Sequence, residues 1–191
     1  MTQNIWFTSD QHYSHGLGRP HGIIELANRP FSSVEEMNEA MVENFNARVG
    51  RQDLTYHLGD FCWNQQDGQK ILRRLNGHHV LIVGNHDKSS KALNGWMEIV
   101  MAKEIKIDER PIYLHHYGCR VWNRCFRDAY HFYGHSHNRL PGNSQSCDVG
   151  VDAWNFRPVN LEEIEARLVT LPRYVPEDYI PGERDSNASV S

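Results

Sequence analysis

Short apolar runs separated by polar turns organise the first half of this chain, and each run hands over to Asp, Asn or His. Residues 4–8 read as a buried strand that opens into a loop at Ser9-Asp10. The loop over 11–31 is rich in Gly, His and Pro, and a structureless loop of that length in a compact domain signals function or disorder. Ser33-Val34-Glu35-Glu36 reads as a capping box. Val34, Met37, Met41 and Phe45 then recur at helical spacing, predicting a helix to about Arg48. A second strand is expected over 53–58, ending at Gly59-Asp60. A helix follows over 66–75, stopped by Asn76-Gly77, and a third strand over 79–83 ends at Gly84-Asn85.

Beyond that point strands follow one another directly. Residues 96–107 and 110–114 suit a hairpin turning at Asp108-Glu109. Strands over 129–133 and 147–151 flank a turn through Pro141-Gly142-Asn143, and Asn160 caps a last helix to about Leu168. An α/β first half joined to a strand-rich second half implies two packed mixed β-sheets flanked by helices. The expected domain covers residues 1–171, with an extended or disordered tail over 172–191.

Bulk properties narrow the class. At 191 residues the chain suits one domain with a sizeable core. Its longest apolar runs are too short to span a bilayer, so no membrane partner is expected. The N-terminus shows no signal-peptide pattern. Cys62, Cys119, Cys125 and Cys147 form no CxxC pair, which reads as free thiols and a cytoplasmic setting. A net charge of -4 argues against binding long duplex nucleic acid through a general basic face. An anionic substrate stays compatible, because bound divalent cations reverse the local sign.

The candidate chemistry lies in five segments: Ser9-Asp10-Gln11-His12, Gly59-Asp60, Gly84-Asn85-His86-Asp87, His115-His116 and Gly134-His135-Ser136-His137. Strand ends in α/β proteins converge on a common crevice, so these segments can form one site. Asp10 and His12, two apart in extended chain, would point to one side and share a metal. Two imidazoles as close as His135 and His137 repel when protonated unless a metal or burial holds them neutral. Oxygen and imidazole donors without thiolates suit Mn, Fe, Ni, Co or Zn.

In their order, these segments resemble the signature of the calcineurin-like metallophosphoesterases, and especially that superfamily's small bacterial and phage phosphoesterases. Asn28-Arg29-Pro30-Phe31-Ser32-Ser33, Tyr56-His57-Leu58-Gly59-Asp60-Phe61 and Gly150-Val151-Asp152-Ala153-Trp154-Asn155 are similar to that subgroup. The resemblance implies a metallophosphoesterase-like two-sheet sandwich holding two divalent metal ions, manganese first among them. It assigns Asp10, His12 and His137 to one metal, Asn85, His116 and His135 to the other, and Asp60 to a bridge between them. Of the adjacent His115 and His116, it favours His116 as the ligand.

The implied reaction is phosphoester hydrolysis by a metal-bridging hydroxide, on small or nucleotide-like phosphodiesters and secondarily on monoesters. His86 would protonate the leaving oxygen, with Asp87 orienting its ring. Arg120, Arg124 or Arg127 could clamp a phosphate, and His15 or His21 could touch substrate from the long loop. Trp63, Trp122 and Trp154 are candidates to stack a base. Two other readings stand beside this one: a nuclease acting on short or single-stranded nucleic acid, and a catalytically idle binding scaffold on the same fold.

Overall fold

The computed structural model describes residues 3–16 and 22–175. Among them nine strands form two sheets. In chain order the elements are β1 (Ile5–Thr8), α1 (Ile23–Leu26), α2 (Val34–Asn46), β2 (Leu54–His57), α3 (Gln65–Leu72) and β3 (His78–Ile82). Then come β4 (Trp96–Val100), β5 (Ala102–Ile107), β6 (Arg110–His115), β7 (Tyr130–Tyr133), β8 (Ser146–Asp148), β9 (Val159–Asn160) and α4 (Leu161–Leu168). The first sheet has the order β4-β3-β2-β1-β9 and the second β5-β6-β7-β8. β1 to β4 run parallel, as do β6 to β8, while β9 and β5 are antiparallel edges. Both sheets are mixed, as expected.

Strand alternation builds two cores from the first sheet. Trp6 and Leu81 face one way, against Met37, Met41 and Phe45 of α2 and Ile71 and Leu72 of α3. Phe7, Tyr56, Val80 and Ile82 face the other way and meet Ile112, Leu114 and Phe132 of the second sheet. Burial on both faces explains why these strands read as nearly continuous apolar runs.

Some boundaries differ from expectation. The run 96–107 is not one strand: β4 pairs parallel with β3, and β5 pairs antiparallel with β6. The chain changes sheets at Met101, and the period-two pattern cannot register this because both sheets share it. Of the expected 147–151 strand only the first two residues are extended, within β8; Val151–Ala153 is a 3-10 turn. The long loop contains α1, and His21 lies outside the described residues. At α2, Ser33 Oγ accepts from Glu36 N–H (3.1 Å), but the Glu36 carboxylate turns to Ser32 N–H (2.7 Å), so the box is left open. Asn160 and Glu163 close a complete capping box on α4. Residues 172–175 carry no regular element and pack on the domain, Ser144 N–H donating to the Pro172 carbonyl (2.8 Å) and the Tyr174 hydroxyl to the Arg120 carbonyl (2.8 Å). Residues 176–191 of the expected tail lie outside the described residues. No helix among the described residues is long and apolar enough to cross a membrane.

Three histidines buried away from the strand-end crevice make the fold acid-sensitive. His57 and His79 share a hydrogen bond of 3.1 Å beneath α2, and His131 is buried under Trp122. Burial holds His57 well below the ordinary imidazole value and pushes His79 and His131 down to about 4. The unfolded chain therefore takes up these protons first. Stability is complete above roughly pH 6.5 and falls as pH drops towards 4, by roughly 3 kcal/mol from His79 alone. Urea titration of chelated protein at pH 7.5 and pH 5 should show this loss; equal midpoints would refute it.

Candidate metal centre

All the sequence-predicted ligands lie just beyond the C-terminal ends of parallel strands. Asp10 and His12 follow β1, Asp60 follows β2, Asn85 follows β3, His116 follows β6, and His135 and His137 follow β7. A parallel bridge between Ser9 and Gly150 links the two sheets beside the crevice. The loops interlock through backbone bonds: Asp10 N–H to the Gly59 carbonyl, His12 N–H to that of Asp60, and Gly134 N–H to that of His116, each 2.9 Å. A side chain at Gly134 would collide with Ser9 Oγ and the Asp10 carboxylate, so only glycine allows that approach.

Five ligand candidates adopt left-handed backbone: Asp10 (φ 57°), His12 (50°), Asp60 (56°), His135 (64°) and His137 (48°). Asp, Asn and His are the side-chain-bearing residues most tolerant of this region. Such strain persists only where surrounding structure imposes it, and it gathers at functional sites. It also corrects the extended-chain argument for Asp10 and His12. They converge because both residues turn left-handed, not because they alternate along a strand.

Two clusters result. Ligating atoms of Asp10, His12 and His137 lie within 4.8 Å of one another, as do those of Asp60, His116 and His135. Asp60 joins them, its Oδ2 lying 3.5 Å from His12 Nε2 and 3.5 Å from His116 Nε2. Asn85 Oδ1 is 3.0 Å from His116 Nε2. His116 is fully buried, and its Nδ1–H donates to the Leu58 carbonyl (2.7 Å). His115 turns away, its Nδ1 accepting from Tyr117 N–H (3.2 Å). Of the two neighbours, His116 is the one in the cluster.

Burial dominates the electrostatics. It pushes the Asp10 carboxyl up to about 8 against the pull of His137, and it raises Asp60 as well. Burial, reinforced by the Arg29 charge, holds His12 well below the ordinary imidazole value; burial and His116 lower His135. Burial alone would lower His137 too, but a hydrogen bond to Asp152 and the Asp10 charge raise it. Buried carboxylates beside His12 and His135, both held low, want a positive partner.

Several supporting residues carry no sequence signature of their own. Asp152 Oδ2 accepts from His137 Nδ1–H (2.7 Å), and Arg29 grips both Asp152 oxygens. Asp148 accepts from Ser136 Oγ–H (2.5 Å), Asn138 N–H (3.0 Å) and Gly150 N–H (2.6 Å), which fixes the His135–His137 loop. Ser9 Oγ–H donates to the Leu58 carbonyl (2.8 Å). Arg29 and Asp152 stand inside two segments quoted for their resemblance, which was the signal available for them.

The remaining candidates divide. His86 is exposed at the crevice mouth, its ring 5.5 Å from that of His12, and its backbone N–H donates to Asp60 Oδ1 (2.8 Å). Asp87 departs from the role expected of it. Its Oδ2 accepts from Asp60 N–H and Gly84 N–H (2.7 Å each) and its Oδ1 from Phe61 N–H (2.9 Å), so this fully buried carboxylate ties the β2 loop to the β3 loop. His15 stays at the mouth, stacked on Trp63 at 3.8 Å. Arg120 lines a separate cavity of about 690 Å³ with Tyr133, Leu140 and Tyr174, which none of the ligand candidates lines. Trp122 is core, and Trp154 packs under Arg167. Arg124 and Arg127 are exposed, one before and one at the end of a 3-10 turn.

No family model matches the chain. The uncharacterized protein MJ1445 of Methanocaldococcus jannaschii is 31% identical over 175 residues, spanning 85% of this chain and 89% of its own length. The gene 66 protein of Mycobacterium phage L5 is 32% identical over 88 residues, 44% of this chain and 40% of its own. The crystal structure of AQ665 from Aquifex aeolicus, a protein of unknown function, shares the fold with a TM-score of 0.68 at 23% identity, covering 87% of this chain and 100% of that one. The chain thus belongs to one family with the archaeal protein, and it shares its fold with the Aquifex aeolicus protein.

Proposed function

We propose that this protein is a dinuclear-metal-dependent phosphoesterase acting on phosphodiester bonds of small or nucleotide-like substrates, with monoesters as a second class and manganese as the metal. One observation carries the reading. His116 Nδ1 is taken up by its hydrogen bond to the Leu58 carbonyl, so Nε2 is the ring nitrogen turned to the cluster. That Nε2 lies 3.0 Å from Asn85 Oδ1 and 3.5 Å from Asp60 Oδ2, two acceptors. In the other cluster, the buried Asp10 Oδ1 and His12 Nε2 have no hydrogen-bond partner. Acceptors gathered without donors fit cations, and the oxygen and nitrogen donor set fits Mn, with Fe, Ni, Co or Zn as alternatives.

Asp10, His12 and His137 would hold one ion, Asn85, His116 and His135 the other, and Asp60 both. Two divalent cations there would lower the pKa of a bound water and neutralise charge on a phosphate ester. The chain's own part lies in His86, which borders the clusters without belonging to either. From the mouth it can give a proton to the departing oxygen. His15 and Trp63 offer a flat wall beside it for the substrate's organic part.

The test is hydrolysis of bis-p-nitrophenyl phosphate and of p-nitrophenyl phosphate by chelated protein before and after Mn²⁺ addition. Diester cleavage that appears only with Mn²⁺ is expected. Monoester cleavage alone would make the protein a phosphatase, and failure to bind any divalent metal would overturn the reading in favour of a binding scaffold.

A further inference from the structure

Arg29 is the most completely engaged charged residue in the crevice. Its side chain is wholly shielded from water, and all five guanidinium N–H bonds have an acceptor. Nε–H and one Nη2–H grip the two oxygens of Asp152 at 2.8 Å each; the second Nη2–H reaches the Asp10 carbonyl at 2.6 Å. One Nη1–H takes the Gln11 carbonyl at 2.9 Å and the other faces Met37 Sδ at 3.4 Å. No donor is left for a phosphate, so Arg29 is not a substrate clamp.

Its contacts join two segments far apart in sequence. The Asp10 and Gln11 carbonyls belong to the loop that carries Asp10 and His12. Asp152 accepts a hydrogen bond from His137 Nδ1–H, which holds a ring of the same cluster in place. Among the described residues the other cluster has no such brace: His116 rests on a neutral carbonyl, and Asn85 and His135 are exposed.

We infer that Arg29 and Asp152 are positioning residues for the Asp10–His12–His137 metal site alone, a buried ion pair that sets both its halves in ligating geometry. The inference rests on the metal-dependent reading above. A carboxylate behind a ligating imidazole fixes its tautomer and raises its basicity, and loss of such a partner typically costs about 10–100-fold in metal affinity. Lysine cannot substitute for Arg29, because three donors on a point charge cannot reproduce a planar fork gripping a carboxylate and two carbonyls.

The experiment is calorimetric titration of chelated wild-type protein, Asp152→Asn and Arg29→Lys with Mn²⁺, with thermal melting of each in EDTA. Wild type should show two sites. Each variant should weaken one of them about 10–100-fold and leave the other unchanged. Parallel weakening of both sites together with a lower apoprotein Tm would mean a general folding role and overturn the inference, as would unchanged affinities. If wild type binds neither Mn²⁺ nor any other divalent metal, the phosphoesterase reading fails and this inference with it. Two intact sites in the variants would sink the inference alone. Asp152→Asn keeps the size of the side chain and an oxygen acceptor, so it provides a folded test even if Arg29→Lys does not fold.

Discussion

Asp60→Asn is expected to abolish metal-dependent turnover while leaving the chelated protein at least as stable as wild type. The carboxylate serves both clusters, Oδ2 standing 3.5 Å from His12 Nε2 and from His116 Nε2, while Oδ1 holds the His86 backbone N–H. In the variant that N–H keeps the oxygen, so the amide nitrogen takes the Oδ2 position. A donor then faces two imidazole nitrogens where an anionic ligand is needed. Metal affinity should fall by more than the roughly 10–100-fold typical of outer-shell changes. The same donor supplies a partner to acceptors that have none, His12 Nε2 among them, and an unsatisfied buried polar group costs about 1–3 kcal/mol. The EDTA-treated variant should therefore melt at or a few degrees above EDTA-treated wild type. Metal content by mass spectrometry and melting with and without EDTA decide it. Full occupancy of two ions in the variant would rule out Asp60 as the shared ligand.

How legible this was follows from what each residue needs nearby. The ligand candidates stand one to four residues past strand ends, so the apolar run and the polar cluster after it were visible together. Trp6 against Phe7 and Leu81 against Val80 sort to opposite faces by simple alternation. Strand parity could also have chosen between the two adjacent histidines. His116 is in phase with Ile112 and Leu114, both buried between the sheets, whereas His115 follows the half-exposed Tyr113. The left-handed turns at Asp10 and His12 were hidden, because they are imposed by backbone bonds to Gly59 and Asp60 in the loop after another strand. Arg29 and Asp152 pair across 123 positions, and neither a single Arg nor a single Asp has a period to betray it. The division of residues 96–107 between sheets was equally silent, since it depends on which neighbour each half finds.

His86→Ala is expected to keep both ions and to lose about 10²–10⁴-fold in turnover, but only where the leaving group needs a proton. His86 contributes no atom to either cluster; its backbone bond to Asp60 survives truncation to alanine. p-Nitrophenolate leaves as a stable anion, so bis-p-nitrophenyl phosphate should be much less affected than an alkyl diester compared under the same conditions. Equal losses on both substrates, or loss of metal from the variant, would remove His86 from the acid role. Asp87→Asn supplies the contrast. If Asp87 merely oriented the His86 ring, its replacement would copy the leaving-group dependence and spare stability. Its carboxylate instead collects three backbone N–H groups from the β2 and β3 loops, and an amide nitrogen turned towards any of them replaces an acceptor with a donor. That should cost on the order of 1–3 kcal/mol and lower Tm by several degrees in EDTA, whatever the leaving group. A normal Tm with His86-like kinetics would restore the dyad; a lowered Tm with both substrates equally impaired makes Asp87 the tie that sets Asp60 and Asn85 at their distance.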